Sequence, residues 1–416
     1  TDQAPAKKTR DRQHHIAQAQ GRLGLFDDFR SRIASRARGF EAPFACIDCV
    51  EAATTMSFDD GLAFERKIFQ RCRSSHQSLA QRHAFFAERE VWKVDGLRLG
   101  TNQMELGKAA VLGCGTMGTG ISMCFANAGI PVIVTESEKA LLDRGMGTIK
   151  KHYASAVSKG RLTEDEAAAR LGLIEPTMEF ERVSSADVII EAVFEDMELK
   201  KNIFRHLDAV CKTNAILATN TSSLDLNEIA RATARPGQVV GTHFFSPANV
   251  MKLVEIVRGQ DTSPEVLTTI LALCKQLNKI GVVVGACDSF AANRMLYSYR
   301  RQAHFLIEEG AFPEQIDKVM YDFGFPMGPF ALSDLAGIDV GWRIQQHQTA
   351  RQPKGLRYSE IAGRLYDMGR YGQKTQKGWF RYNEGSRTPI PDPEVTELIV
   401  RTSKELEIER REISDK

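Results

Sequence analysis

KAAVLGCGTMGTGISMCFANAGIPVIVTE, residues 108–136, holds the turn around which the rest of the chain can be read. The apolar run Ala109-Ala110-Val111-Leu112 predicts a short buried parallel strand. It breaks into Gly113-Cys114-Gly115-Thr116-Met117-Gly118, a G-x-G-x-x-G loop. Ile121, Met123, Cys124, Phe125 and Ala128 then carry a helical apolar face as far as Gly129, a C-cap residue. A second strand, Val132 to Thr135, ends on the carboxylate of Glu136. Strand, glycine loop, helix, strand and acid in this order make a dinucleotide site. Gly113 permits the tight turn, Gly115 lets the backbone approach a pyrophosphate, and Gly118 lets helix and strand pack closely. The helix N-terminus at Thr116 and Met117 offers unpaired N–H groups to phosphate oxygens, and Glu136 can accept from ribose hydroxyls.

Downstream the alternation continues, with strands expected at Val188–Val193, Ile216–Thr219, Val239–Phe244, Leu253–Val257 and Gly281–Val284. That pattern predicts an α/β Rossmann-like, doubly wound, mostly parallel sheet. Ala140–Leu171 is two charged helical stretches around Lys159-Gly160-Arg161, too long for a plain crossover, and is expected to project as an αα-hairpin. After Asp288 the strands stop. Met295, Leu296, Tyr299, Ala303, Leu306 and Ile307 lie on one helical face, and helical patterns follow to about Tyr366, so an all-α domain is expected there. Before the loop, residues 1 to about 40 are polar and Arg-rich with no sustained period. A small helical layer begins at Phe44, with Cys46, Val50 and Ala53 on one face and Leu62, Ile68, Phe69 and Cys72 on the next; Lys93–Met104 reads as a linker.

The composition is that of an ordinary globular protein: 416 residues, 43% hydrophobic, 26% charged, net charge +2. Such a balance points to neither a nucleic-acid nor a membrane partner. No apolar run approaches the ~18 residues of a spanning helix. The eight cysteines sit mostly inside apolar patterns, as reduced thiols of an intracellular protein do, and the lone Cys46-x-x-Cys49 has no second pair to complete a metal site. No metal is expected. A chain beginning with Thr1 reads as a fragment or a processed product.

Ligands of an open parallel sheet sit beyond the carboxyl ends of its strands. Glu195 and Lys200 follow one such end, and Asn220-Thr221-Ser222-Ser223 follows the next. Two readings fit Ser222: a helix N-cap, since Ser222-x-x-Asp225 fits a capping box, or a site hydroxyl. Glu255 interrupts Leu253-Val254-Glu255-Ile256-Val257, and a buried carboxylate is costly unless paired. If Val239–Phe245 and Lys252–Val257 form an antiparallel hairpin centred on Asn249, His243 and Glu255 are direct cross-strand neighbours. Glu255 then fixes the imidazole tautomer and makes His243 a general base; a core His–Glu hydrogen bond is the plainer reading.

These residues resemble the L-3-hydroxyacyl-CoA dehydrogenases of fatty-acid β-oxidation, from about Lys108 to Tyr382. GCGTMGTGI, EAVFEDMELK, ATNTSSL, THFFSPANVMKLVEIV and DSFAANRML all look like that family's motifs. The resemblance implies catalytic roles for Ser222, His243, Glu255 and Asn293, with Ser222 and Asn293 also touching substrate. It implies NAD held at Gly113, Gly115, Thr116, Met117 and Gly118. Glu136, where Asp is usual, Glu195, Lys200, Ser222, Ser246 and Lys374 are implied as further cofactor contacts. Lys159, at the hairpin tip, resembles a CoA contact, although a lone lysine there is more often simply solvated.

The flanks are similar to the multifunctional members of the family. FACIDCVEAATTMSFDDGLAFERKIF resembles the last helices of a hydratase domain, and ELEIERREISDK the start of a second helical repeat. The expected organisation is 1–104 a hydratase remnant and linker, 105–286 the NAD-binding domain, 287–385 the all-α domain and 386–416 a linker and truncated repeat. The helical domain is expected to pack on that missing repeat or on a homodimer partner. The reaction implied is NAD-dependent oxidation of (S)-3-hydroxyacyl-CoA, in a cleft between domains, without hydratase activity in this chain. The setting is an intracellular, reducing one, cytoplasmic if bacterial, with the peroxisome as alternative. Two rivals stand beside it: a catalytically idle NAD-binding interaction protein, and a dehydrogenase of a small hydroxyacid without CoA.

Overall fold

The computed structural model describes residues 8–11, 14–20, 22, 24–97, 103–349 and 357–415. The chain forms two compact units, one of residues 84–295, the other of 1–83 together with 296–416.

In the first unit eight strands form one sheet. They are β1 (Ala109–Leu112), β2 (Val132–Thr135), β3 (Ile174–Thr177), β4 (Val188–Glu191), β5 (Ile216–Thr219), β6 (Val239–Phe244), β7 (Leu253–Arg258) and β8 (Ile280–Gly285). Their order is β3-β2-β1-β4-β5-β6-β7-β8, and only β6 and β7 run antiparallel. The order reverses between β1 and β4, which opens the crevice where doubly wound sheets take ligands. β1, β2, β4 and β5 are buried along their whole length, as strands covered by helices on both faces must be. The helices Thr116–Asn127 and Pro264–Gln276 cover one face with Phe125, Leu267 and Leu271, and Met197–Val210 covers the other with Phe204 and Leu207.

β3 has no counterpart among the expected strands. Its sequence, Ile-Glu-Pro-Thr, carries Pro176 and only one buried residue, which a sheet tolerates at an edge and which hides the strand's period. The long segment after β2 is the expected helical pair, Lys139–Ser158 and Glu164–Gly172. Leu142, Gly145 and Ile149 bury its base, while Ser158-Lys159-Gly160-Arg161 at its tip is exposed.

The helical unit has its core around Ile307, Phe330, Leu365, Trp379 and Ile399. The Asp334 carboxylate stitches it together, accepting from the Trp379 and Phe380 amides at 2.9 and 3.0 Å and from the Tyr382 hydroxyl at 2.9 Å. Residues of the tail join this core. The helix Pro393–Glu405 buries Leu398 and Ile399, and Arg410 donates to the carbonyls of Ile307 at 2.6 Å and Gly310 at 3.0 Å, closing the helix Ala292–Glu309. The N-terminal helices group here too, not with the linker. Arg38 bonds the carbonyls of Tyr321 and Phe325 and lies 3.6 Å over the Tyr321 ring.

Two N-terminal expectations differ from what is seen. Helices His14–Gln20 and Leu25–Ile33 occupy the stretch read as aperiodic, the second held by Arg30 bonded to Asp48 and Glu51 rather than by apolar spacing. In the helix Ala42–Thr55 the buried side chains are Ala45, Ile47, Ala52 and Thr54, while Cys46, Val50 and Ala53 line an open groove. Of the linker expected over 93–104, residues 98–102 lie outside the described residues.

Candidate functional site

Gly113 turns at φ +95°, and a Cβ there would stand 2.7 Å from the Ala192 carbonyl oxygen. A Cβ on Gly118 would fall 1.9 Å from the Gly113 carbonyl oxygen, so helix and strand touch where only glycine fits. Gly115 is different. Its φ of −77° suits any residue, and no atom lies within 4 Å of where its Cβ would be. Open space above a backbone at a helix N-terminus is the cradle a pyrophosphate requires, so these residues fit NAD. Glu136 accepts from the Cys114 amide at 3.0 Å and the Ser137 amide at 2.8 Å, which fixes its carboxylate at the end of β2. Lys139 nearby is ion-paired with Asp143.

Across the switch point the ends of β4 and β5 carry a charged network. Lys200 is almost fully buried, 2.6 Å from Glu191 and 3.3 Å from Glu195. Glu191 also accepts from the Val193 amide at 2.8 Å and the Thr219 hydroxyl at 2.7 Å. Glu195 accepts from the Thr221 hydroxyl at 2.5 Å and from the Ser222 amide and hydroxyl at 2.9 and 3.4 Å. Ser222 is therefore not the N-cap of the following helix. Asp225 caps Leu226–Ala230 by accepting from the Asn227 amide, and Ser222 is turned toward Glu195 instead. Sequence reading missed Glu191, whose signal was a carboxylate ending an otherwise apolar buried strand.

The antiparallel step from β6 to β7 places His243 opposite Glu255 in register, as the hairpin centred on Asn249 predicts. His243 Nδ1 lies 2.8 Å from Glu255 Oε2, with both residues buried. The other carboxylate oxygen accepts from the amides of Ala291 at 3.0 Å and Ala292 at 2.8 Å, at the start of the helix Ala292–Glu309. Burial raises the Glu255 pKa, but the His243 hydrogen bond and the Ala292 and Ala291 amides together outweigh it and hold the carboxyl below its ordinary value. An ionised acceptor on Nδ1 puts the proton there and leaves Nε2 with its lone pair. The rings of Phe245 and Phe290 flank the imidazole at 4.4 and 5.7 Å.

A cavity of about 310 Å³ gathers most of these groups: Met117, Glu195, Lys200, Ser222, His243 and Ser246 all line it. Asn220, also in its wall, bonds the Phe244 amide at 2.9 Å and so ties β5 to the strand carrying His243. Asn293 follows the two amides that hold Glu255 and makes no side-chain hydrogen bond among the described residues. Lys159 is exposed at the hairpin tip, outside this cavity. Lys374 belongs to the helical unit, where it pairs with Asp339 at 2.5 Å. Among the described residues no cluster of three His, Cys, Asp or Glu side chains is arranged to hold a metal, and no helix is long and apolar enough to cross a membrane.

Residues 108–287 match the family model described as 3-hydroxyacyl-CoA dehydrogenase, NAD binding domain, and residues 290–382 that of the C-terminal domain. The peroxisomal bifunctional enzyme of Homo sapiens is 40% identical over 414 residues, which is 94% of this chain and 56% of that protein. That of Cavia porcellus is 41% identical, over 90% of this chain and 54% of that one. The chain thus spans about half the length of the curated relatives it matches. Among solved structures, M. tuberculosis FadB2 is 35% identical with a TM-score of 0.64, covered over its whole length by 67% of this chain. The dehydrogenase part of multifunctional enzyme 1 from C. elegans is 34% identical with a TM-score of 0.59, over 80% of this chain and 76% of that one.

Proposed function

The chain belongs to the 3-hydroxyacyl-CoA dehydrogenase family, and on that premise we propose that it oxidises (S)-3-hydroxyacyl-CoA thioesters to 3-ketoacyl-CoA in fatty-acid β-oxidation, NAD accepting the hydride from C3. One observation carries the reading: a buried His–Glu pair opens into the same cavity as the helix N-terminus of a dinucleotide loop.

In this reading His243 Nε2 takes the proton of the substrate hydroxyl, and Glu255 stabilises the imidazolium that forms. A positioned base of this kind contributes on the order of 10²–10⁴ in rate. Ser222 and Asn293 hydrogen-bond the reacting oxygen, where negative charge develops. Support for Ser222 comes from its place on the wall of the cavity with His243, and for Asn293 from the free amide beside the helix start. Gly113, Gly115 and Gly118 with the Thr116 and Met117 amides hold the pyrophosphate. Glu136 holds the ribose hydroxyls and would repel a 2′-phosphate, while Lys139, the cation that could attract one, is engaged by Asp143. Lys159 with Arg161 offers the exposed cations a CoA phosphate needs.

The names of the curated relatives favour the peroxisome over the cytoplasm as the compartment, which the distribution of a tagged full-length protein would decide. The activity is tested by following NADH oxidation with acetoacetyl-CoA and with free acetoacetate. Turnover of the thioester alone, lost in His243→Gln, is expected. NADH binding without turnover would favour an idle binding protein, and turnover of the free acid would favour a small-hydroxyacid dehydrogenase.

A further inference from the structure

Lys279 is a buried cation that the mechanism above does not use. It stands between the helix Pro264–Gln276 and β8, and its residue is 7% exposed. Its ammonium donates to two backbone carbonyls, Ala248 at 2.6 Å and Met251 at 2.7 Å, and forms no ion pair among the described residues. A buried lysine without a carboxylate is costly to keep, so the geometry it enforces has to matter.

What it grips is the turn between β6 and β7, the one that leaves the His243 strand through Ser246 and returns on the Glu255 strand. The same turn is seated on the helix of the dinucleotide loop. The Cys124 thiol donates to the Ala248 carbonyl at 3.3 Å. A Cβ on Gly120 would stand 3.0 Å from the Ala248 Cβ and 3.2 Å from its amide nitrogen, so the turn and the helix meet with no room to spare. Two residues before Ala248, Ser246 lines the same cavity as Met117, which lies in the first turn of that helix. The backbone of Lys279 is fixed in turn, its amide bonded to Cys274 at 2.8 Å and that of Ile280 to Lys252 at 2.8 Å. The clamp therefore has a rigid base.

We propose that Lys279 is a positioning residue for the cofactor: its ammonium, holding the carbonyls of Ala248 and Met251, sets the seat of the 246–251 turn on the helix Thr116–Asn127 and so places Ser246 against the bound dinucleotide. The inference deepens the dehydrogenase reading and rests on it only for turnover; cofactor affinity tests it separately.

The experiment measures NADH Kd by fluorescence titration, turnover with acetoacetyl-CoA and Tm for the full chain carrying Lys279→Met, Lys279→Gln or Gly120→Ala. Lys279→Met is expected to weaken NADH binding about tenfold or more, since a misplacement of about 1 Å at a site costs that much or more. Lys279→Gln keeps two N–H donors for the two carbonyls and is expected to recover most of the affinity. Gly120→Ala leaves the lysine intact but crowds Ala248, and is expected to raise Kd as well. A lowered Tm in Lys279→Met with NADH Kd unchanged would make the lysine a stability anchor only and overturn the proposal. If Lys279→Met does not fold, unchanged NADH affinity in Gly120→Ala overturns it equally. Wild-type chain that binds NADH but turns over no acyl-CoA would sink the dehydrogenase reading and leave the Kd comparison to decide this one.

Discussion

His243 and Glu255 face each other across the one antiparallel step of the sheet, 2.8 Å apart, and Glu255 spends its second oxygen on the amides of Ala291 and Ala292. The carboxylate thus orients the imidazole and is itself oriented by a helix N-terminus. Glu255→Gln keeps an acceptor for the amides but removes the charge that stabilises the imidazolium. Turnover is expected to fall by about 10²-fold, with NADH Kd changed by less than about threefold, because only the transition state loses a partner. Equal loss in affinity and turnover would mean the pair is structural.

Gly115 and Gly118 are expected to fail in different ways. Gly118→Ala drives a Cβ to 1.9 Å from the Gly113 carbonyl oxygen, so both folding and binding suffer. Gly115→Ala meets open space at an ordinary φ, so Tm should stay within a few degrees of wild type while the new methyl occupies the approach of the pyrophosphate. Loss of NADH affinity by about 10²-fold with the fold intact is the expected signature. Undiminished binding by Gly115→Ala would show that the pyrophosphate lies elsewhere.

Glu191 carries the buried end of the Lys200 network. Glu191→Ala leaves Lys200 with Glu195 alone and uncaps the Thr219 hydroxyl, and is expected to cost about 3–5 kcal/mol in chemical denaturation. Because Glu195 holds the Ser222 amide, NADH affinity should drop with it. Substituting the exposed Glu198, which pairs only with Lys201 among the described residues, should cost less than about 1 kcal/mol.

Stability should depend on pH through His304, which burial drives from 6.5 down to about 3. A depressed histidine favours the fold above its unfolded pKa, and that contribution is lost as pH falls from about 6.5 toward 3. Between pH 7 and pH 5 the loss from this group is about 2 kcal/mol. Asp317 and Asp334, raised by burial to about 6, act in the opposite sense, since their contribution is present below about 4 and lost as pH rises through 6. Comparing urea midpoints of wild type and His304→Gln at the two pH values cancels the aspartates, and the variant should show the smaller acid loss. Parallel shifts in the two proteins would refute the assignment to His304.

Much of the site could be read from residues alone because it sits where backbone rules are strict. A tight turn needed Gly113, and a single carboxylate inside Leu253–Val257 had to find a partner, which fixed the pairing with His243. What escaped depended on tertiary context. β3 hid behind Pro176 and half-exposed side chains. Ser222 had the spacing of a cap, but a carboxylate beyond the neighbouring strand competed for its hydroxyl and amide, and Asp225 took the cap. The N-terminal helices joined the helical unit through Arg38 on two carbonyls, a contact with no periodicity to announce it. Lys279, a charged residue before an apolar strand, has no periodicity around it to announce its burial.

Placing His243 and Glu255 mid-ladder has a cost in tolerance. Side chains alternate faces along a strand, so a one-residue insertion or deletion that slides β7 past β6 would turn Glu255 to the opposite side of the sheet and bring Val254 or Ile256 to face the imidazole. The paired segments Gly241–Phe244 and Val254–Val257 therefore have to keep their register for the two side chains to meet.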